Sequence, residues 1–151
     1  MPEIKNYIAT NEARFLDELF SLIRIPSISA LPEHAADMTR CAERWRELLI
    51  EAGADRAEII AEKQIDKAAP TVLIYGHYDV MPVEPLELWP SPPFEPQVRD
   101  GRIWARGADD DKGQSFIQVK AFEYLVHYKL LRHNVKFIFE REEEIGSPSL
   151  G

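Results

Sequence analysis

Residues 71–75, Thr-Val-Leu-Ile-Tyr, put apolar or strand-favouring side chains on both faces of an extended segment, and residues 135–140 repeat the pattern. A strand apolar on both faces belongs in the interior of a sheet, in the manner of parallel α/β proteins. That requirement shapes the reading of every other segment.

Ile4, Ile8, Phe15, Leu19, Leu22 and Ile23 recur at helical spacing and predict one long amphipathic helix closed by Pro26. Met38, Cys41, Ala42, Trp45, Leu48 and Leu49 predict a second helix, with Gly53 placed to stop it. The two make an antiparallel pair for one side of the sheet. Residues 57–61 read as a short strand. Six of the eleven prolines fall in residues 81–96, which therefore form an ordered loop outside the regular elements. Asp100-Gly101 between Val98-Arg99 and Arg102-Ile103-Trp104 signals a hairpin. Phe116, Val119, Phe122, Leu125, Val126 and Leu130 predict a third, largely buried helix over residues 112–131. The order is helix, helix, strand, strand, hairpin, helix, strand. It implies an α/β fold with a mainly parallel sheet and helices on both faces.

Composition narrows the partners. Twenty-six acidic against eighteen basic residues give a formal charge of −8. That balance disfavours nucleic acid and anionic membrane as partners. The first 23 residues are studded with charge and resemble no secretory signal, and no segment approaches membrane-spanning length. Cys41 is the only cysteine, so there is neither an intrachain disulfide nor a cysteine-based zinc cluster. It falls among apolar residues of the second helix, where ordinary packing is expected. The cytoplasm is the expected compartment.

Chemistry concentrates where strands end. His77 and Asp79 follow the 71–75 strand in Tyr-Gly-His-Tyr-Asp-Val, Asp110 lies in Ala-Asp-Asp-Asp-Lys-Gly, and Glu143 and Glu144 follow the 135–140 strand. In open α/β sheets ligands gather outside the carboxyl ends of the strands. Each piece alone also fits a plainer role: a strand-end histidine satisfied by a turn aspartate, a capping cluster at a helix N-terminus, or a surface acid run. A calcium loop is excluded, because the alternating acidic spacing is absent. Brought to one sheet edge, an imidazole and several carboxylates make a divalent metal site with a carboxylate to spare as a base.

The succession of Gly-His-x-Asp-Val, the Trp-Pro-Ser-Pro-Pro-Phe loop, Asp-Gly-Arg-Ile-Trp-Ala-Arg-Gly, Asp-Asp-Lys-Gly and Glu-Glu-x-Gly closely resembles the carnosinase-like co-catalytic zinc peptidases. The resemblance runs from about Lys5 to Gly151. It implies the N-terminal part of a three-layer catalytic domain and two divalent metal ions, zinc first, with manganese or cobalt as substitutes. His77 resembles a terminal ligand of one metal, Asp79 the carboxylate that orients it, and Asp110 the carboxylate that bridges both metals. Glu143 matches the general base and Glu144 a ligand of the second metal. The peptide bond after Asp110 is expected to be cis.

The implied activity is hydrolysis of dipeptides or similar small amides. The alternatives are an N-acyl amino acid deacylase of the same superfamily, or a non-catalytic metal-binding or interaction module. In full-length relatives a further aspartate and histidine ligand, and an inserted lid that also forms a homodimer, lie beyond position 151. On this reading the 151-residue chain is truncated and inactive alone, and residues 135–140, short of a neighbouring strand, favour self-association. His34, His127 and His133 are expected in surface or helix-end packing.

Overall fold

A computed structural model describes residues 3–58 and 61–150. Its regular elements are α1 (Ile4–Ile23), α2 (Ala35–Glu51), β1 (Arg56–Ala57), β2 (Ala61–Lys63), β3 (Thr71–His77), β4 (Gln97–Arg99), β5 (Arg102–Trp104), α3 (Lys112–His127) and β6 (Asn134–Glu140). Short 3-10 turns occur at Pro32–His34, Leu86–Leu88 and Glu143–Ile145.

The α/β class matches the sequence reading. The sheet, ordered β1-β2-β6-β3, is mixed. Its longest pairing, β3 with β6, is parallel over seven residue pairs from Thr71↔Asn134 to His77↔Glu140. The β2–β6 and β1–β2 pairings are short and antiparallel. The expected strand at 57–61 is replaced by these two small strands, and residues 59 and 60 lie outside the described residues. Residues 135–140 are not at an edge: β6 has β2 on one side and β3 on the other, and the edges of the described sheet are β3 and the two-residue β1. The short β2 turns back antiparallel and supplies the neighbour that the sequence pattern did not reveal.

Among the described residues the helices cover one face of the sheet, against the expectation of both. Val135, Phe137 and Phe139 point into a core shared with all three helices. Trp45 of α2 stacks on Phe139 at 4.6 Å between ring centroids, and Phe122 of α3 meets Phe137 edge-on at 5.2 Å. Cys41 is fully buried in this core, as expected of a packing residue. On the opposite face Leu73 and Tyr75 remain 59% and 46% exposed. Apolar residues on both faces of β3 therefore mark a strand able to be covered twice, while the helices of this chain cover it once.

Helix ends follow local chemistry. Gly53, at φ +105°, closes α2 in a left-handed cap, with Ala54 N–H bonded to Leu49 O and Gly53 N–H to Ile50 O. The same pair of bonds ends α3 earlier than its apolar spacing suggests: Leu130 N–H reaches Leu125 O and Lys129 N–H reaches Val126 O. Lys129 takes φ +55° without being a glycine, so no sequence signal announces that stop. Leu130 thus lies in the cap, outside the helix whose apolar period it continues. The proline-rich segment 81–96 is ordered, pinned by Trp89 Nε1–H to Val83 O at 2.8 Å and by Arg106 Nη2 to Pro82 O at 3.1 Å. Among the described residues no helix is long and apolar enough to cross a membrane.

A buried ionic cluster clamps α1 to α3. Lys120 Nζ lies 2.5 Å from Glu18 and 2.6 Å from Glu123, Arg14 pairs with both glutamates, and Tyr7 Oη donates to Glu123 at 2.6 Å. Burial would raise the Glu123 pKa, but bonds from Arg14, Lys120 and Tyr7 hold it at about 2 against an ordinary 4.5. The folded-state value is depressed, so the stabilisation is present above pH 4.5 and is lost as pH falls toward 2. The shift corresponds to on the order of 3 kcal/mol. Urea unfolding followed from about pH 6 to about pH 2 should show stability falling through this window. In Glu123→Gln the same curve should be flatter; an unchanged acid limb would remove the cluster from the account.

Candidate functional site

Parallel pairing of β3 and β6 aligns their carboxyl ends, with His77 opposite Glu140. The two chemical motifs that follow those strands therefore leave the sheet side by side. Tyr78 N–H donates to Glu140 O at 3.0 Å and keeps the exit of β3 against the end of β6. The third motif arrives from the N-terminus of α3. Asp111 occupies the N-cap position but does not cap with its side chain. Its Oδ2 accepts the His77 backbone N–H at 3.0 Å and the Ser115 hydroxyl at 2.6 Å instead. A carboxylate expected in a solvated capping cluster thus ties the head of α3 to the end of β3. Gly76 makes this approach feasible, since a Cβ there would lie 2.0 Å from Ser115 Oγ. The Asp110–Asp111 peptide bond is cis.

His77 is buried, and its Nδ1–H faces Asp79 Oδ1 at 3.2 Å and the Asp79 carbonyl at 3.1 Å. Its Nε2 points to Asp110 Oδ1 at 3.1 Å, with Glu143 Oε2 at 3.8 Å. Burial disfavours a charged ring. The Asp79 hydrogen bond and charge, then Asp111 and Asp110, outweigh it and carry the His77 pKa up to about 9. Asp79 is fully buried, which alone would raise its pKa; hydrogen bonds from His77, Ser29 and the Glu144 N–H keep it below the usual carboxylate range. The 3-10 turn Glu143–Ile145 is held by the same carboxylate, Glu143 N–H donating to Asp79 Oδ1 at 3.2 Å and Glu144 N–H to Oδ2 at 3.0 Å. Burial, followed by the charge of Asp110, pushes the Glu144 pKa up.

His77, Asp110 and Glu143 therefore meet in one place, and Asp79 lies beneath them. The Asp110 and Glu143 side chains are 71% and 44% exposed, open to solvent and to a ligand. Glu144 is fixed by its backbone, and its carboxyl feels Asp110 and His77 through their charge. The donor set, one imidazole nitrogen with carboxylate oxygens, fits a divalent cation. Among the described residues no three His, Cys, Asp or Glu side chains form a closed metal-binding group.

Ser29 and Ser115 were not singled out by sequence reasoning, and Asp111 was read only as part of the capping cluster and the cis bond. Ser115 stands four residues after Asp111, a spacing at which a helix-start carboxylate and hydroxyl can meet; Ser29 is 50 positions from its partner and had no local signal. His34 bonds Asp37 at the start of α2, and His127 packs on Tyr7 and Tyr128 at the end of α3.

Comparison with known proteins bears on this geometry. The pattern of Peptidase family M20/M25/M40 matches residues 73–151. The chain is 32% identical over 148 residues to a cysteinylglycine-S-conjugate dipeptidase of Corynebacterium striatum, covering 92% of this chain and 32% of that protein. Human carnosine dipeptidase 1 superposes with a TM-score of 0.88 at 28% identity, over 96% of this chain and 35% of that one. An M20 family metallo-carboxypeptidase from Sulfolobus solfataricus superposes with a TM-score of 0.80 at 34% identity, over 88% and 32% respectively. The chain thus spans about a third of the length of these relatives.

Proposed function

The chain belongs to Peptidase family M20/M25/M40, and from that premise we propose that it carries part of the active site of a metal-dependent hydrolase of dipeptides or similar small amides. The observation that supports the reading best is His77 Nε2 directed at Asp110 and Glu143 while its Nδ1–H is held by fully buried Asp79. A metal-ligating histidine commonly gives its other N–H to a carboxylate, which fixes ring and tautomer.

In this reading His77, Asp110 and Glu144 hold two divalent ions, zinc in first place with manganese or cobalt as substitutes. When bound, they supply Lewis acidity and lower the pKa of water toward neutrality. Glu143 accepts the proton of the attacking water on its carboxylate and delivers it to the departing amine nitrogen. Asp79 keeps the His77 ring oriented and, through the backbone of the Glu143–Ile145 turn, keeps the base beside it. Burial and the nearby charge of Asp110 push the Glu144 carboxyl toward protonation, which a bound cation would offset. The substrate is a small peptide, and the expected compartment is the cytoplasm. By themselves His77, Asp110 and Glu144 would bind metal weakly and would not sustain dipeptide turnover. The uncharged β3 edge from Thr71 to Gly76 favours association between copies.

Calorimetric titration with Co2+ tests the site without relying on turnover. The 151-residue chain should bind weakly; His77→Ala should abolish the heat, while Glu143→Gln should retain it within about threefold, since the base is not needed as a ligand. Equal loss in both variants would make Glu143 a ligand. Binding indifferent to His77, or dipeptide hydrolysis by this chain that disappears in His77→Ala, would overturn the assignment as stated.

A further inference from the structure

Resting on that reading of the site, we propose that Ser29 is a positioning residue: its hydroxyl, donated to Asp79 Oδ2 at 2.6 Å, fixes the carboxylate that in turn places His77, Glu143 and Glu144.

A carboxylate offers about four lone-pair positions. Asp79 Oδ1 takes the His77 Nδ1–H and the Glu143 N–H, and Oδ2 takes the Glu144 N–H and the Ser29 hydroxyl. Three of these partners belong to the ligands and the base themselves. Ser29 is the fourth, and among them it alone comes from outside the machinery. Without it the carboxylate plane is set only by the groups it has to position.

The segment that delivers Ser29 is itself well anchored. It leaves α1 through Pro26 and runs beside residues 78–80. Val80 N–H donates to Ser27 O at 2.9 Å, and the fully buried Ser27 hydroxyl donates to Tyr78 O at 2.6 Å. Lys112, also fully buried, reaches back from the head of α3 to Leu22 O at 3.0 Å and Ile25 O at 2.7 Å. The end of α1 is thus fastened both to the His77 loop and to the Asp110 turn, so the Ser29 hydroxyl arrives on a braced backbone.

The test compares the full 151-residue chain with Ser29→Ala and Ser29→Thr by amide hydrogen exchange and by Co2+ titration. Ser29 is only partly buried, and alanine there creates no cavity in the core. In Ser29→Ala the Glu143 and Glu144 amides should exchange about tenfold faster, as loss of one hydrogen bond to a charged group allows, while the Phe137 amide in β6 is unchanged. Co2+ affinity should fall about tenfold, the scale of an outer-shell partner, and Ser29→Thr should restore both. Unchanged exchange at Glu143 and Glu144, or acceleration spread equally to Phe137, would overturn the proposal. If the wild-type chain binds no Co2+ but Ser29→Ala still loosens those two amides selectively, the positioning role stands and the metal reading fails. If Co2+ binds through His77 and Ser29→Ala alters neither exchange nor affinity, the positioning role fails and the metal reading stands.

Discussion

Gly113→Ala is expected to destabilise the chain by on the order of 3 kcal/mol or more, and to disrupt the Asp110 turn with it. A Cβ at this position would lie 1.9 Å from the Ala108 carbonyl oxygen and 2.9 Å from its carbon. The obstacle is backbone, so no rotamer change relieves it. Gly113 N–H donates to Gly107 O at 3.3 Å, which shows how tightly the 107–108 chain crosses the first turn of α3. Making room means lifting that crossing segment and, with it, the Asp109-Asp110-Asp111 segment. Thermal unfolding should show a markedly lower midpoint than wild type, together with weakened Co2+ binding. A midpoint within about 2 °C of wild type would mean that the crossing can yield at little cost.

Asp79→Asn is expected to cost about 3 kcal/mol and to remove Co2+ binding, although the replacement is nearly isosteric. The fully buried carboxylate accepts bonds at both oxygens, and each oxygen faces one backbone N–H from the Glu143–Ile145 turn. An amide presents one oxygen and one NH2. Whichever way it is turned, an NH2 donor confronts the N–H of Glu143 or of Glu144, and one of the two is left unpaired. The loss of negative charge also removes the largest hydrogen-bond influence favouring protonated His77. Urea unfolding measures the cost, and histidine NMR reports whether the His77 ring changes its protonation state. A variant of wild-type stability with an unaltered ring would show that shape alone, without charge and acceptance at both oxygens, holds the turn.

The elements and the candidate residues were legible to different degrees. Periodicity located α1, α2 and the start of α3, and Gly53 gave away the end of α2 because only glycine takes φ +105° cheaply. The end of α3 was not legible, because Lys129 adopts the left-handed cap without the residue that usually signals it. The strands 71–75 and 135–140 were visible as apolar runs. Which of them was the edge was not, since β2 is only three residues long and pairs antiparallel with β6. His77, Asp79, Asp110, Glu143 and Glu144 stood out because each sits within a few residues of a strand or helix end, where local pattern and topology agree. Ser29 did not, being separated from Asp79 by 50 positions and lying in a loop with no periodicity.

Sequence alone determined that this chain builds an α/β unit with reactive side chains at the carboxyl end of its parallel strands, because side-chain alternation and turn residues act over a few positions. Tertiary structure decided the rest. It set the sheet order, left one face of β3 open, turned Asp111 from a helix cap into a tie to β3, and gathered four donors on Asp79. Such choices depend on contacts between segments far apart in the chain, whose energies are settled by burial and mutual geometry and leave no imprint on local spacing.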